Sequence, residues 1–207
     1  MAMIHQLFRR ESQNFLTFVA RTGDHDVARA TQLAAAIEEY ITGLHHHHQV
    51  EDELIWPKLH ARAQVHSDLV VRMEGQHHTL DESIEAIQAG LTDWATTPDP
   101  EKRARLTAAL TQHRQVLVEH LDDEETLVMP LVEEHLSDDE WEAVGKRGMD
   151  GVPPAKLLLA LGAILEDATP QQKAAFLGKV PALGRLLWLT IGQRQYRRQM
   201  AELRNPA

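Results

Sequence analysis

Two eleven-residue blocks constrain this chain more than anything else in it: H-H-Q-V-E-D-E-L-I-W-P from His47 to Pro57, and H-L-D-D-E-E-T-L-V-M-P from His120 to Pro130. Each sets a His, a Glu four positions on, a second acid, one further residue, then Leu, a β-branched residue, a large apolar residue and Pro. One such match would carry little weight, whereas two in register mean duplication. On a helix, residues four apart share a face, so His47 with Glu51, and His120 with Glu124, each aim an imidazole and a carboxylate in one direction. That is metal-ligand spacing. Imidazole suits Zn, Cu, Fe or Ni, and a carboxylate can bridge two ions, so two facing copies favour a paired site with mixed N and O donors. The chain has no Cys, which removes thiolate zinc and iron–sulfur alternatives.

With 207 residues, one good-sized core or a core with an appendage is expected. Lys and Arg number 21 against 31 Asp and Glu, a formal charge of −10, so a phosphate backbone would be repelled and no nucleic-acid partner is expected. The one basic cluster lies near Arg194, Arg197 and Arg198. The first residues meet charge early and contain no apolar signal region. The longest uncharged apolar run, Leu157 to Leu165, is about half of what a spanning helix needs. A cytoplasmic protein without a membrane partner is the expectation, and the absence of Cys fits a reducing compartment.

Apolar residues recur at helical spacing through four long segments. The first runs from Met3 to about Ala20 and carries His5. The second runs from about Asp26 into the fifties, where Pro57 is expected to loosen it for want of an N–H. The third is expected to start at Ser67 as N-cap and reach about Trp94, with Met73, His77, Leu80 and Ile84 on its inner face. Asp99 as cap and Pro100 at the first helical position open the fourth, which continues past Pro130 to about His135. The step from His5 to His47 is 42 residues and from His77 to His120 is 43, so each half reads as a helical hairpin with one ligand on its first helix and two on its second. The expected fold is all-α: an up-down-up-down four-helix bundle over residues 1–136, with additional C-terminal helices over 137–207 packed on it. In that extension Ser137 with Glu140 forms a capping-box pair, and Thr169 with Pro170 reads as N-cap and N1.

The resulting pattern, H…HxxxE…H…HxxxE in His5, His47, Glu51, His77, His120 and Glu124, resembles the hemerythrin-like family, whose members hold a non-haem di-iron centre inside a four-helix bundle. The resemblance covers roughly residues 3–136. It implies two iron ions bridged by Glu51 and Glu124, with His5 and His47 on one iron and His77 and His120 on the other. Oxygen-carrying members place a second His one turn after the third-helix His; here that position is Asp81, either a ligand or a nearby base. If Asp81 does not ligate, more coordination positions stay open, which favours chemistry on a bound small molecule over reversible carriage. The function implied is binding of, or reaction with, O2, H2O2 or NO, with catalase- or peroxidase-like turnover as the enzymatic form. The competing class is an iron, oxygen or redox sensor, or a metal-binding module without turnover.

The other histidines receive bland readings. His78 competes with His77 but lies off the inner face, and His45, His46 and His48 point around the helix from His47. His48 with Asp52 repeats the four-residue spacing, yet its counterpart in the second block is Leu121. His25, His60, His66, His113 and His135 are expected to be solvated or capping residues. Tyr40, two turns before His47, is read as core.

Overall fold

A computed structural model describes residues 1–204. Every described element is helical, and the described residues divide into two compact units: Glu11–Gly151, and Met1–Arg10 together with the residues from Val152 onward. Helix α1 (Ala2–Arg21) supplies residues to both units.

The larger unit is the bundle. Helix α2 (Val27–Leu54) begins at Asp26, whose carboxylate accepts from the Arg29 N–H, as an N-cap should. The chain breaks at Ile55 and resumes as α3 (Trp56–Arg62). Pro57 is the cause: having no N–H, it cannot continue the ladder. Lys58 repairs the damage, since its backbone N–H turns to the Ile55 carbonyl while its ammonium reaches the Leu54 carbonyl at 2.6 Å. Helix α4 (Ser67–Thr96) follows a short 3₁₀ turn. Ser67, expected as its cap, is instead its first helical residue; His66 occupies the cap position without a side-chain bond.

Helix α5 (Pro100–Asp123) opens with the cap predicted for it, Asp99 accepting from the Lys102 N–H at 2.9 Å. Its C-terminal end differs from that of α2 despite the duplication. Glu124–Val128 widens into a π turn, with the Met129 N–H bonded to the Glu124 carbonyl, and α6 (Met129–His135) continues beyond it. Pro130 again removes one bond, and here the helix absorbs the loss by a register change.

Topology follows from one end of the bundle. The α1–α2 turn, where His25 takes a left-handed φ of 64°, bonds through the His25 N–H to the Pro98 carbonyl in the α4–α5 connection. Arg103 at the start of α5 reaches both the Thr22 carbonyl and Asp24. Helices α1, α2, α4 and α5 therefore run up-down-up-down. Leu33, Ile37, Ile41, Leu44, Met73, Leu80, Ile84, Ile87, Leu117 and Leu121 fill the interior. The blocks at the far ends of α2 and α5, and His77 early in α4, lie toward the opposite end.

Helix α7 (Asp138–Asp150) carries the predicted Ser137–Glu140 capping box and lies in the unit Glu11–Gly151. Its ties are polar. Arg62 forks onto both Glu140 oxygens, and Arg147 forks onto Glu53.

In the other unit, α8 (Leu157–Leu165), α9 (Pro170–Lys179), α10 (Ala182–Leu187) and α11 (Gln193–Arg204) surround Leu161, Leu165, Trp188 and Tyr196. The Tyr196 hydroxyl donates to Glu166, which also receives both terminal nitrogens of Arg204. Gly162 lies under that pinned ring, where a Cβ would stand 2.3 Å from Tyr196 Cγ. Gly162→Ala is therefore expected to overpack this core and cost about 1–3 kcal/mol, read as a lower melting temperature.

Among the described residues no single helix is long and apolar enough to cross a membrane.

Candidate metal centre

Within the bundle unit, buried donor groups converge from three helices. His48, Glu51, His77 and His120 each offer an atom within 4.8 Å of the others. His47, Glu51 and Glu124 do the same, so Glu51 belongs to both groups. His47 Nε2 is 3.1 Å from Glu51 Oε1, His77 Nε2 is 3.5 Å from Glu51 Oε2, and His120 Nε2 is 3.8 Å from Glu124 Oε2. Neither Glu51 oxygen meets a described donor in hydrogen-bond geometry, nor does His77 Nε2.

Hydrogen bonds on the outer side of the rings establish which nitrogen points inward. Asp52 can only accept, so His77 donates Nδ1–H to it at 2.9 Å and turns the Nε2 lone pair toward Glu51. For His120 the argument passes through an amide. Arg72 bonds to Asp123, and Gln76 gives its NH₂ to the same carboxylate at 2.7 Å. The Gln76 oxygen is thereby left facing His120, which donates Nδ1–H to it at 3.2 Å and keeps its Nε2 lone pair inside. Lone pairs and carboxylate oxygens aimed at one volume repel one another, and a cation in that volume relieves the repulsion.

The electrostatics agree. Burial, and then the neighbouring Glu124 carboxylate, push Glu51 well above the usual carboxylate range. Burial, followed by the imidazoles of His77, His47 and His120, pushes His48 well below its ordinary value. For His77 burial opposes protonation, but the bond to Asp52 and the nearby Glu51 carboxylate together carry it up to about 9, so without a metal this ring favours its charged form. Two buried carboxylates in one site cannot both ionise cheaply without a cation, and a bound cation inverts that balance.

A family model described as the Hemerythrin HHE cation binding domain matches residues 1–132. The chain belongs to that family. No curated protein and no solved structure matches it. For an HHE domain the donor set is apt: neutral imidazoles and carboxylates, no thiolate, and outer-side bonds that hold each ring in place.

His47, Glu51, His77, His120 and Glu124 come together. His5 is fully buried on α1 and falls in the other unit. Asp81 stands apart from both groups, half exposed, with its carboxylate 3.3 Å from His45 Nδ1. His48 is the residue the sequence reading passed over: it is buried at 4 % exposure beside His77 and His120. Its spacing to Asp52 was the available signal, and the Leu at the matching place in the second block concealed it.

His113 also departs from expectation, being fully buried instead of solvated. Ser83 donates to the Leu80 carbonyl at 2.6 Å, so it accepts Nδ1–H from His113 at 2.8 Å. His113 Nε2 must then accept the Tyr40 hydroxyl at 2.7 Å. Tyr40 is core, as expected, and the chain of bonds ties α2 to α4 and α5 two turns from the metal donors.

Because Asp52 and Gln76 hold the rings without touching the interior, Asp52→Ala and Gln76→Ala are each expected to weaken metal affinity about tenfold to a hundredfold with the helical content unchanged. Competition against a chelator, with circular dichroism as the control, measures both.

Proposed function

We propose that the chain is a non-haem di-iron protein that binds or reacts with O2, H2O2 or NO. The observation that carries this reading is Glu51, a fully buried carboxylate shared by two groups of donors, each of its oxygens facing a different imidazole. A carboxylate in that position would bridge two metals. His77 and His120 would hold one iron, His47 the other, and Glu51 and Glu124 would span the pair.

Iron held in this way would supply reversible electron exchange and open coordination positions for a small ligand. The protein's own contribution is to fix the imidazoles through Asp52 and Gln76 and to keep the donors buried, with Trp56 beside His77. Glu51 and Glu124 neutralise charge. Asp81, exposed beside His45, is not placed to donate a proton to a ligand between the metals.

Rapid mixing of iron-loaded protein with peroxide, O2 or NO is the test. The reading expects a change in the absorption of the centre with at least one of the three, absent from Glu51→Ala. Loaded protein that is inert to all three would refute the reactivity and leave a metal-binding module.

A further inference from the structure

Asp81 occupies the place where the oxygen-carrying members have a further His, and it faces outward to His45. The imidazole missing from α4 has a counterpart one residue beyond His47 on α2. The His48 ring stacks on His77 with centroids 4.2 Å apart and planes 19° from parallel, and it meets His120 edge-on at 5.2 Å. Both His48 nitrogens are buried, and neither meets a hydrogen-bond partner among the described residues. An imidazole carries a polar N–H or lone pair at each nitrogen, so a doubly unsatisfied buried ring is costly unless something else completes it.

We infer that His48 is a third imidazole ligand, to the metal held by His77 and His120, supplied from α2 in place of the α4 position taken by Asp81. This rests on the di-metal reading above. A ligand atom of His48 lies within 4.8 Å of those of Glu51, His77 and His120, with which it forms one group able to hold a metal ion. His47 and His48 are adjacent on one helix, yet they belong to different groups, because a helix turns about 100° per residue. The pair of metal positions becomes unequal. The one at His77 and His120 would be the richer in imidazole, while the one at His47 would keep more open positions. An external ligand is then directed to the His47 side.

The probe is ferrous iron alone, titrated anaerobically into metal-free protein, native and His48→Ala. The expected result is two metals per native chain, with one of the two sites in His48→Ala weakened by at least about tenfold and restored by added imidazole. Two sites of native affinity in His48→Ala overturn the inference and leave the di-metal reading standing. A native chain that takes up no paired metal overturns that reading instead. Should His48→Ala fail to fold, native protein loaded with cobalt(II) gives a second answer. Its paramagnetically shifted ring N–H resonances, assigned by specific labelling, are expected to include one from His48. Absence of a shifted His48 resonance, with those of His77 and His120 present, contradicts the inference.

Discussion

Glu51→Ala is expected to empty the whole centre, leaving well under one iron per chain at concentrations that saturate the native protein. The reason is geometric: Glu51 serves both donor groups, so its loss affects two sites at once. Glu124→Ala is expected to deplete the centre as well. His46→Ala is the control, since His46 bonds outward to the Arg147 carbonyl at 3.1 Å and should leave iron content unchanged. Metal analysis after dialysis distinguishes these outcomes, and one firmly held iron in Glu51→Ala would show that the bridge is wrongly placed. A companion effect separates ligation from architecture. In metal-free protein the buried carboxylates of Glu51 and Glu124 oppose one another, so the isosteric Glu51→Gln should melt higher than the native chain while binding less metal. A purely structural Glu51 would give a lower melting temperature.

Acid should weaken the bundle through His113. Burial lowers its folded pKa to about 4 from an ordinary value near 6.5. Between those values the unfolded chain binds a proton that the native chain does not, so stability rises with pH across the window and is lost as pH falls through it. The loss approaches about 3 kcal/mol by pH 4, at about 1.4 kcal/mol for each pH unit. A Tyr40→Phe/His113→Leu variant removes the titrating ring together with the hydroxyl that bonds to it. Denaturation of metal-free protein at several pH values should show the native chain losing that much more than the variant between pH 6.5 and 4. Equal losses would mean that the ring protonates in place and that the Ser83–His113–Tyr40 bonds do not hold it neutral.

Much of this molecule is legible in its residues, for identifiable reasons. The duplicated blocks reveal the bundle and four of the donors because an imidazole and a carboxylate one turn apart share a helix face, and that spacing survives in the sequence. Asp26, Asp99, Ser137 and Thr169 mark helix starts because capping is a local bond between neighbours. What escapes depends on helix rotation and on partners far along the chain. His48 and His47 differ by one position, and only the packing of α2 against α4 and α5 turns both inward. Asp81 and His113 reverse their expected surroundings for the same reason: Asp81 finds His45, and His113 finds Ser83 and Tyr40. The twin prolines are visible, but not that one block breaks at Ile55 while the other widens into a π turn at Glu124.

The central claim is a bridged pair of irons, and Mössbauer spectroscopy of protein loaded with ⁵⁷Fe and oxidised in air, alongside iron analysis of the same sample, tests it most directly. The account predicts two irons per chain and a diamagnetic ground state at low temperature, because a shared bridge couples the two ferric spins antiferromagnetically. One iron per chain with a magnetically split, uncoupled ferric spectrum would contradict it.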